Sequence, residues 1–181
     1  MKSILRDESR QYRPERQVPT LGGDEDARID QRSQTMTRAN LVALLRKYRL
    51  AVQASVASTG APQAAVVGFA VTDALEIVFD TVASSRKYRN LREDPRVALV
   101  IGGEHEVTVQ IEGVADVPVG DALERVRACY FVAYPDGRDR LAWPGITHFR
   151  VRPTWVRYSD FTQNPPRIVE LAADQLAQGG A

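Results

Sequence analysis

Residues 75–101 read LEIVFDTVASSRKYRNLREDPRVALVI, and the fold turns on this stretch. Its opening, Ile77-Val78-Phe79, is apolar and β-branched and predicts a strand that ends at Asp80-Thr81. After a short polar link, Ser84-Ser85 stand where a helix takes its N-cap. Arg86 to Leu91 fill the next turns, and Asp94-Pro95 stop them, because the residue before a proline avoids the helical region. Arg96 to Ile101 reads as the next strand.

The start of that helix is suited to anion capture. Unpaired N–H groups and the positive end of the helix dipole gather there. Ser84, Ser85, Arg86 and Lys87 add two hydroxyls and two cations on the same turn. Arginine offers a planar fork for phosphate oxygens and lysine a mobile point charge. The same letters also describe an ordinary capped helix with a solvated basic face, so the motif alone does not fix a ligand.

Working outward, Thr37 can cap a helix from Arg38 to about Tyr48, with Leu41, Leu44, Leu45 and Tyr48 on one face. Leu50 to Ala57 alternates as a strand, with Gln53 and Ser55 set against Val52, Ala54 and Val56. Ser58-Thr59-Gly60 is a hairpin turn, and Pro62 to Val71 forms the partner strand. Small residues dominate that strand, as they do where a flat ligand or another backbone comes close. Val107 to Ala115 alternates, with Val107, Val109 and Ile111 on one face and Thr108, Gln110 and Glu112 on the other. A helix follows from Ala122 to Ala133, then strand residues from Ile146, interrupted at Pro153 and continued to Tyr158. Pro165-Pro166 introduces a last helix, Ile168 to Leu176.

Composition narrows the function. With 44% hydrophobic residues the chain can build a core, and a net charge of +1 argues against a nucleic-acid or anionic-membrane footprint. Cys129 is the single cysteine, which excludes an intrachain disulfide, and its apolar neighbours suggest a buried, inert thiol. His105 and His148 are the two histidines and lie in no metal-ligand spacing, so no metal is expected. No signal-peptide core or membrane-length run occurs, which points to a cytoplasmic protein. Residues 1–35 are polar and read as a flexible N-terminal extension; 36–171 are the patterned domain, and 172–181 a tail or frayed helix end.

The sum is a mainly β chain with flanking helices, about six strands joined by hairpins into an antiparallel, nearly closed sheet. At this point FDTVASSRKYRNLREDPRVALVI (79–101), EVTVQIEGVADV (106–117) and THFRVRPTWVRY (147–158) carry a resemblance. Together they resemble the FMN-binding split-barrel family related to pyridoxamine 5′-phosphate oxidase, over residues 37–171. The resemblance implies a six-stranded antiparallel split β-barrel that forms a homodimer with FMN at the interface. It implies that Ser85, Arg86 and Lys87 hold the FMN phosphate, and that Thr81 and the backbone beside Asp80 contact the flavin. By the same carry-over, the strand around Val66 and Val67 lies along the isoalloxazine, with Thr108 and Gln110 as polar contacts.

Two departures stand beside it. The oxidase carries an Arg and a Lys on the strand crossing the phosphate, whereas residues 64–71 hold no cation here. The oxidase also ends in an Arg-x-His-Asp-Arg motif, whereas Ser159 to Pro166 contain no cation or histidine. The grip on a vitamin phosphate is missing, so the chain is expected to be an FMN-dependent oxidoreductase that is not a true pyridoxamine phosphate oxidase. No catalytic side chain is nominated, since a flavin carries the redox chemistry itself; a small molecule or NAD(P)H would be the reaction partner. The alternatives are the deazaflavin F420, with Arg89, Arg13 and Arg16 as extra cations for its acidic tail; heme, with His105 or His148 as ligand; and a non-catalytic flavin-binding or stress-response protein.

Overall fold

The computed structural model describes residues 36–177. The expected arm at 1–35, with Arg13 and Arg16, lies outside the described residues, as do residues 178–181. The described chain opens with helix α1 (Arg38–Leu45), capped by Thr37, whose hydroxyl accepts from the Asn40 amide at 3.2 Å. The helix is shorter than its apolar pattern suggests. Lys47 and Tyr48 turn their amides to the Leu44 and Leu45 carbonyls, tightening the last turn.

Strands β1 (Leu50–Val56) and β2 (Pro62–Gly68) form the predicted hairpin, with Gly60 at φ +83° in the turn. The strand read as continuous to Val71 instead breaks at Phe69, and β3 (Ala70–Val71) pairs with β4 (Ile77–Val82). Helix α2 (Arg86–Glu93), β5 (Arg96–Gly102) and β6 (Val107–Asp116) follow. Helix α3 (Gly120–Ala133) and a 3-10 segment (Pro135–Ala142) lead into the long β7 (Ile146–Asp160). The described chain ends in β8 (Arg167–Ala172) and the short α4 (Ala173–Ala177).

Every strand pair is antiparallel, in the order β2-β1-β5-β6-β7-β4-β3. The two ends of that path, β2 and β3, are one stretch of chain interrupted only at Phe69, so the sheet curls until its edges meet. β7 serves twice along one edge: residues 146–151 pair with β4 and 155–160 with β8. Between the two halves the β6 register shifts, Gly113 facing Pro153 and Glu112 facing Trp155. Pro153 therefore sits at a bulge, where its missing N–H is tolerated, and the strand is not interrupted. Gly113 allows the close approach: a Cβ there would stand 2.6 Å from the Arg152 carbonyl.

Among the described residues there are eight strands rather than six, and one further expectation is corrected. Residues 167–172, expected as helix, are strand, because their exposure alternates along the chain and Val169 and Leu171 pack on the core. The structure also fixes the phase of β1, which alternation left open. Ala51, Gln53 and Ser55 point inward, while Leu50, Val52, Ala54 and Val56 turn to the outer face.

The barrel core is built from Leu41 and Leu45 of α1 against Phe79, Leu99, Ile101, Ile111 and Val151. Phe79 stacks on its cross-strand partner Phe149 at 5.6 Å. Each such side chain contributes about 1.5–3 kcal/mol by leaving water. β4 is covered on both faces, for Val78 and Ala70 pack with Val126, Tyr130 and Phe131 in a second cluster under α3. No helix of the described residues is long and apolar enough to cross a membrane.

Candidate functional site

The sheet-to-helix passage forms as its sequence suggests. Ser85 is the N-cap of α2, with extended backbone (φ −72°, ψ 153°), and its Oγ accepts from the Tyr88 amide at 3.1 Å. Thr81, at the end of β4, shares a 2.9 Å hydrogen bond with the same hydroxyl, which locks the strand end to the helix start. Leu91 and Tyr88 hold the helix against the barrel, Tyr88 meeting the Phe149 ring edge-on at 5.8 Å. Anchoring those residues inward leaves Arg86 and Lys87 on the accessible side.

Beside them opens a cleft of about 430 Å³, lined by Gln53 and Ser55 of β1, Gln63, Ala64 and Ala65 of β2, and the two cations. Asn90, buried beneath, places its side-chain amide 3.1 Å from Ser55 Oγ and 2.7 Å from the Gln63 amide. With its oxygen turned outward, Gln63 accepts from Arg86 Nε at 2.9 Å and from Nη2. The guanidinium is thus oriented by a neutral group. Among the described residues neither Arg86 nor Lys87 pairs with a carboxylate, so their charge is available to an anion.

Gln53 is the feature that sequence reasoning missed. It is 1% exposed, and neither Oε1 nor Nε2 has a partner among the described residues. Buried polar groups are nearly always hydrogen-bonded, so an orphaned amide on a cleft wall points to a ligand. Strand alternation in β1 marked Gln53 and Ser55 as one face but could not say that this face turns inward.

The other predicted contacts are spread more widely. Val67 is buried in the core, and Val66 is on the outer face at 63% exposure, so only the neighbouring Ala64 and Ala65 border the cleft. Asp80 turns its carboxylate away, accepting from Tyr130 Oη at 2.9 Å and Arg140 Nε at 2.8 Å beneath α3. Burial and then the Asp80 carboxylate push the Tyr130 phenol well above its usual range, so it stays protonated. Thr108 and Gln110 lie on β6, two strands beyond β1, with Gln110 in the outer cross-strand row Val66, Val52, Val100, Gln110, Arg157. Within one chain the structure brings together Thr81, Ser85, Arg86 and Lys87; Val66 and Gln110 belong to the outer face.

A larger groove of about 800 Å³ runs between α1, β3 and α3, with Phe69, Val71, Cys129 and Val132 among its walls. Two of its three arginines are engaged, Arg46 with Asp73 at 2.7 Å and Arg49 over the Tyr134 ring at 4.3 Å, and the carboxylates of Asp73 and Glu76 share its wall with Arg125, whereas no carboxylate lines the smaller cleft. Cys129 is half-buried there rather than enclosed, and burial raises its thiol pKa. The smaller cleft is the better anion site.

Neither histidine lines the cleft or the larger groove. His105 occupies the β5–β6 turn at φ +56°, and His148 is buried edge-on against Tyr130 and Phe131. Among the described residues no group of three or more His, Cys, Asp or Glu could hold a metal ion. Burial depresses His148, with Arg127 and Arg140 adding to that and Asp80 opposing it. A depressed folded pKa leaves stability complete above the unfolded value of about 6.5 and drains it as pH falls toward the folded pKa. The melting temperature should therefore fall from pH 7 to pH 5, by no more than about 1.4 kcal/mol of stability per pH unit for one proton. That slope should flatten in His148→Leu; an unchanged slope would assign it to other groups.

Comparison with known proteins agrees with this architecture. The family described as Pyridoxamine 5'-phosphate oxidase matches residues 37–160, well over half of the chain. No curated protein matches. Among solved structures the chain is similar to a heme binding protein from Mycobacterium smegmatis, with TM-score 0.66 and 21% identity over 78% of this chain. It spans 59% of that protein's length. It is also similar to the heme storage protein HutZ from Vibrio cholerae, with TM-score 0.55 and 19% identity, covering 65% of this chain and 91% of that one. A pyridoxamine 5'-phosphate oxidase-related, FMN binding protein from Nostoc punctiforme gives TM-score 0.57 and 13% identity, covering 83% and 92%. The sheet that curls back on itself, the capped basic helix at its end and the extent of the sequence match lead to one assignment: the chain belongs to the pyridoxamine 5'-phosphate oxidase family.

Proposed function

We propose that this chain is an FMN-dependent oxidoreductase that acts as a homodimer and is not a true pyridoxamine phosphate oxidase. The observation that carries the reading is the cleft at the start of α2, where Arg86 and Lys87 lack acidic partners beside the orphaned amide of Gln53. The residues present fit the phosphate end of FMN: two cations without acidic partners, a helix start and a wall of alanines that leaves room. Bound there, the flavin would supply the hydride-accepting and hydride-donating chemistry. The chain's own part is to bind and orient. Arg86 and Lys87 would hold the dianion, and the Thr81–Ser85 bond keeps the helix start fixed beneath it.

The dimer explains why the candidate residues divide into two sets. The outer face of β2, β1 and β5 carries Val66, Val52 and Val100 side by side, with Leu50 one repeat from Val52 along β1 and Ala64, Ala54 and Ala98 in the row on the other side. The four large members are 43–63% exposed, a continuous apolar surface on the sheet. A second copy seated there would cover that face and bring outer-face residues such as Val66 and Gln110 to a site shared between protomers.

The F420 reading has less support. Arg89, offered as an extra cation for its acidic tail, is spent on the Ser84 carbonyl at 2.8 Å. Mass and absorption spectra of the natively purified protein test the proposal. FMN should be found, and NAD(P)H or a small-molecule partner should change its redox state. A deazaflavin or heme in its place would overturn the reading. Bound FMN that no reductant reaches would favour the non-catalytic alternative.

A further inference from the structure

We infer that Gln53 is a ligand-binding residue, receiving the hydroxylated chain of a phosphomonoester whose phosphate sits at Arg86 and Lys87. This deepens the proposal above and rests on its phosphate clamp, not on the flavin ring. Three observations carry it. The side chain is 1% exposed with both amide atoms unpartnered, yet it forms part of the cleft wall. Its cross-strand neighbours, Ala65 on β2 and Leu99 on β5, have no polar atom to offer, and the Ala65 methyl leaves space beside the amide. Finally, Gln53 lies one strand repeat from Ser55, which faces Gln63 and, through it, Arg86.

That repeat is about 7 Å, the length of a short run of polyol carbons beyond a phosphate. The chemistry of the amide selects the same ligand. Nε2 gives a proton and Oε1 accepts one, which matches a hydroxyl, itself donor and acceptor. The phosphate group of the bound monoester, a dianion without an O–H, would satisfy only Nε2. With no cation on β2 in this region, the cleft distinguishes polyol phosphates from simple anions by a neutral amide set deeper than the charge.

Gln53→Leu tests this, since leucine keeps the bulk and removes both polar atoms. Parent and variant are titrated calorimetrically with FMN, ribitol 5-phosphate and inorganic phosphate. The variant should bind FMN and ribitol 5-phosphate about tenfold more weakly and inorganic phosphate unchanged. Its melting temperature without ligand should hold or rise, because an unbonded buried amide has gone. Equal binding of both phosphomonoesters by parent and variant overturns the inference, as does an equal loss for inorganic phosphate, which would make Gln53 a support for the cations. A parent that takes ribitol 5-phosphate but not FMN defeats the flavin reading while leaving the Gln53 assignment to the same comparison. A parent that takes neither defeats both. Gln53→Met gives the same readout should the leucine variant fail to fold.

Discussion

Removing Arg86 and Lys87 together is expected to abolish FMN binding at micromolar flavin. Each supplies charge-assisted hydrogen bonds to a phosphate, worth about 1.5–3 kcal/mol apiece. Single changes, Arg86→Ala or Lys87→Ala, should thus weaken binding by about 10–100-fold, and the double variant by about a thousandfold or more. The fold should survive, because Arg86 is exposed and Lys87 half-buried, while α2 is anchored by Leu91, Asn90 and the Ser85 cap. Arg92→Ala, which takes the same charge from the far end of α2, should shift affinity by no more than about twofold. Flavin fluorescence titration at fixed ionic strength reads all four variants. If the double variant binds FMN as the parent does, the phosphate does not sit at this helix.

The second large effect concerns the exposed sheet face. Val52 lies in the middle of the apolar row, flanked by Val66 on β2 and Val100 on β5. In a single chain its side chain meets solvent, at 44% exposure, so Val52→Glu should leave the barrel folded with nearly the parent melting temperature. In a dimer seated on this face the carboxylate would be buried without a partner, at a cost of several kcal/mol per protomer. Size-exclusion chromatography with light scattering should find the parent as a dimer and the variant as a monomer, with flavin lost on dissociation. Val132→Glu, at an 84% exposed position on α3, should change neither mass nor flavin content. A dimeric Val52→Glu protein would move the interface elsewhere.

These two variants also mark how differently the two halves of the site could be read from the letters. The Ser85-Arg86-Lys87 corner rests on local rules. A cap hydroxyl accepts from an amide three residues on, and a proline stops the helix, as Asp94 and its extended backbone bear out. Gln53 and Ser55 depended on something non-local. Alternation marked them as one face of β1 without saying which face turns inward. The structure decides it, because Ser55 meets Asn90 of α2 while Val52 and Val66 belong to a surface still uncovered in one chain. β8 was missed for a related reason. Its alternation is shallow, and it becomes a strand only because the second half of β7 offers an unpaired edge.

The amino-acid order alone determined the strand periods, the turns at Gly60 and Pro95, the capped basic helix and, through these, the family. Tertiary structure decided the phase: which side of β1 faces in, that Asp80 is bound to Arg140 and Tyr130 under α3, and that an unpaired glutamine stands beside the two cations. The physical reason is that hydrogen-bonded periodicity and capping act within a few residues, where sequence spacing is distance. Inside and outside are set by what packs against a strand from far along the chain.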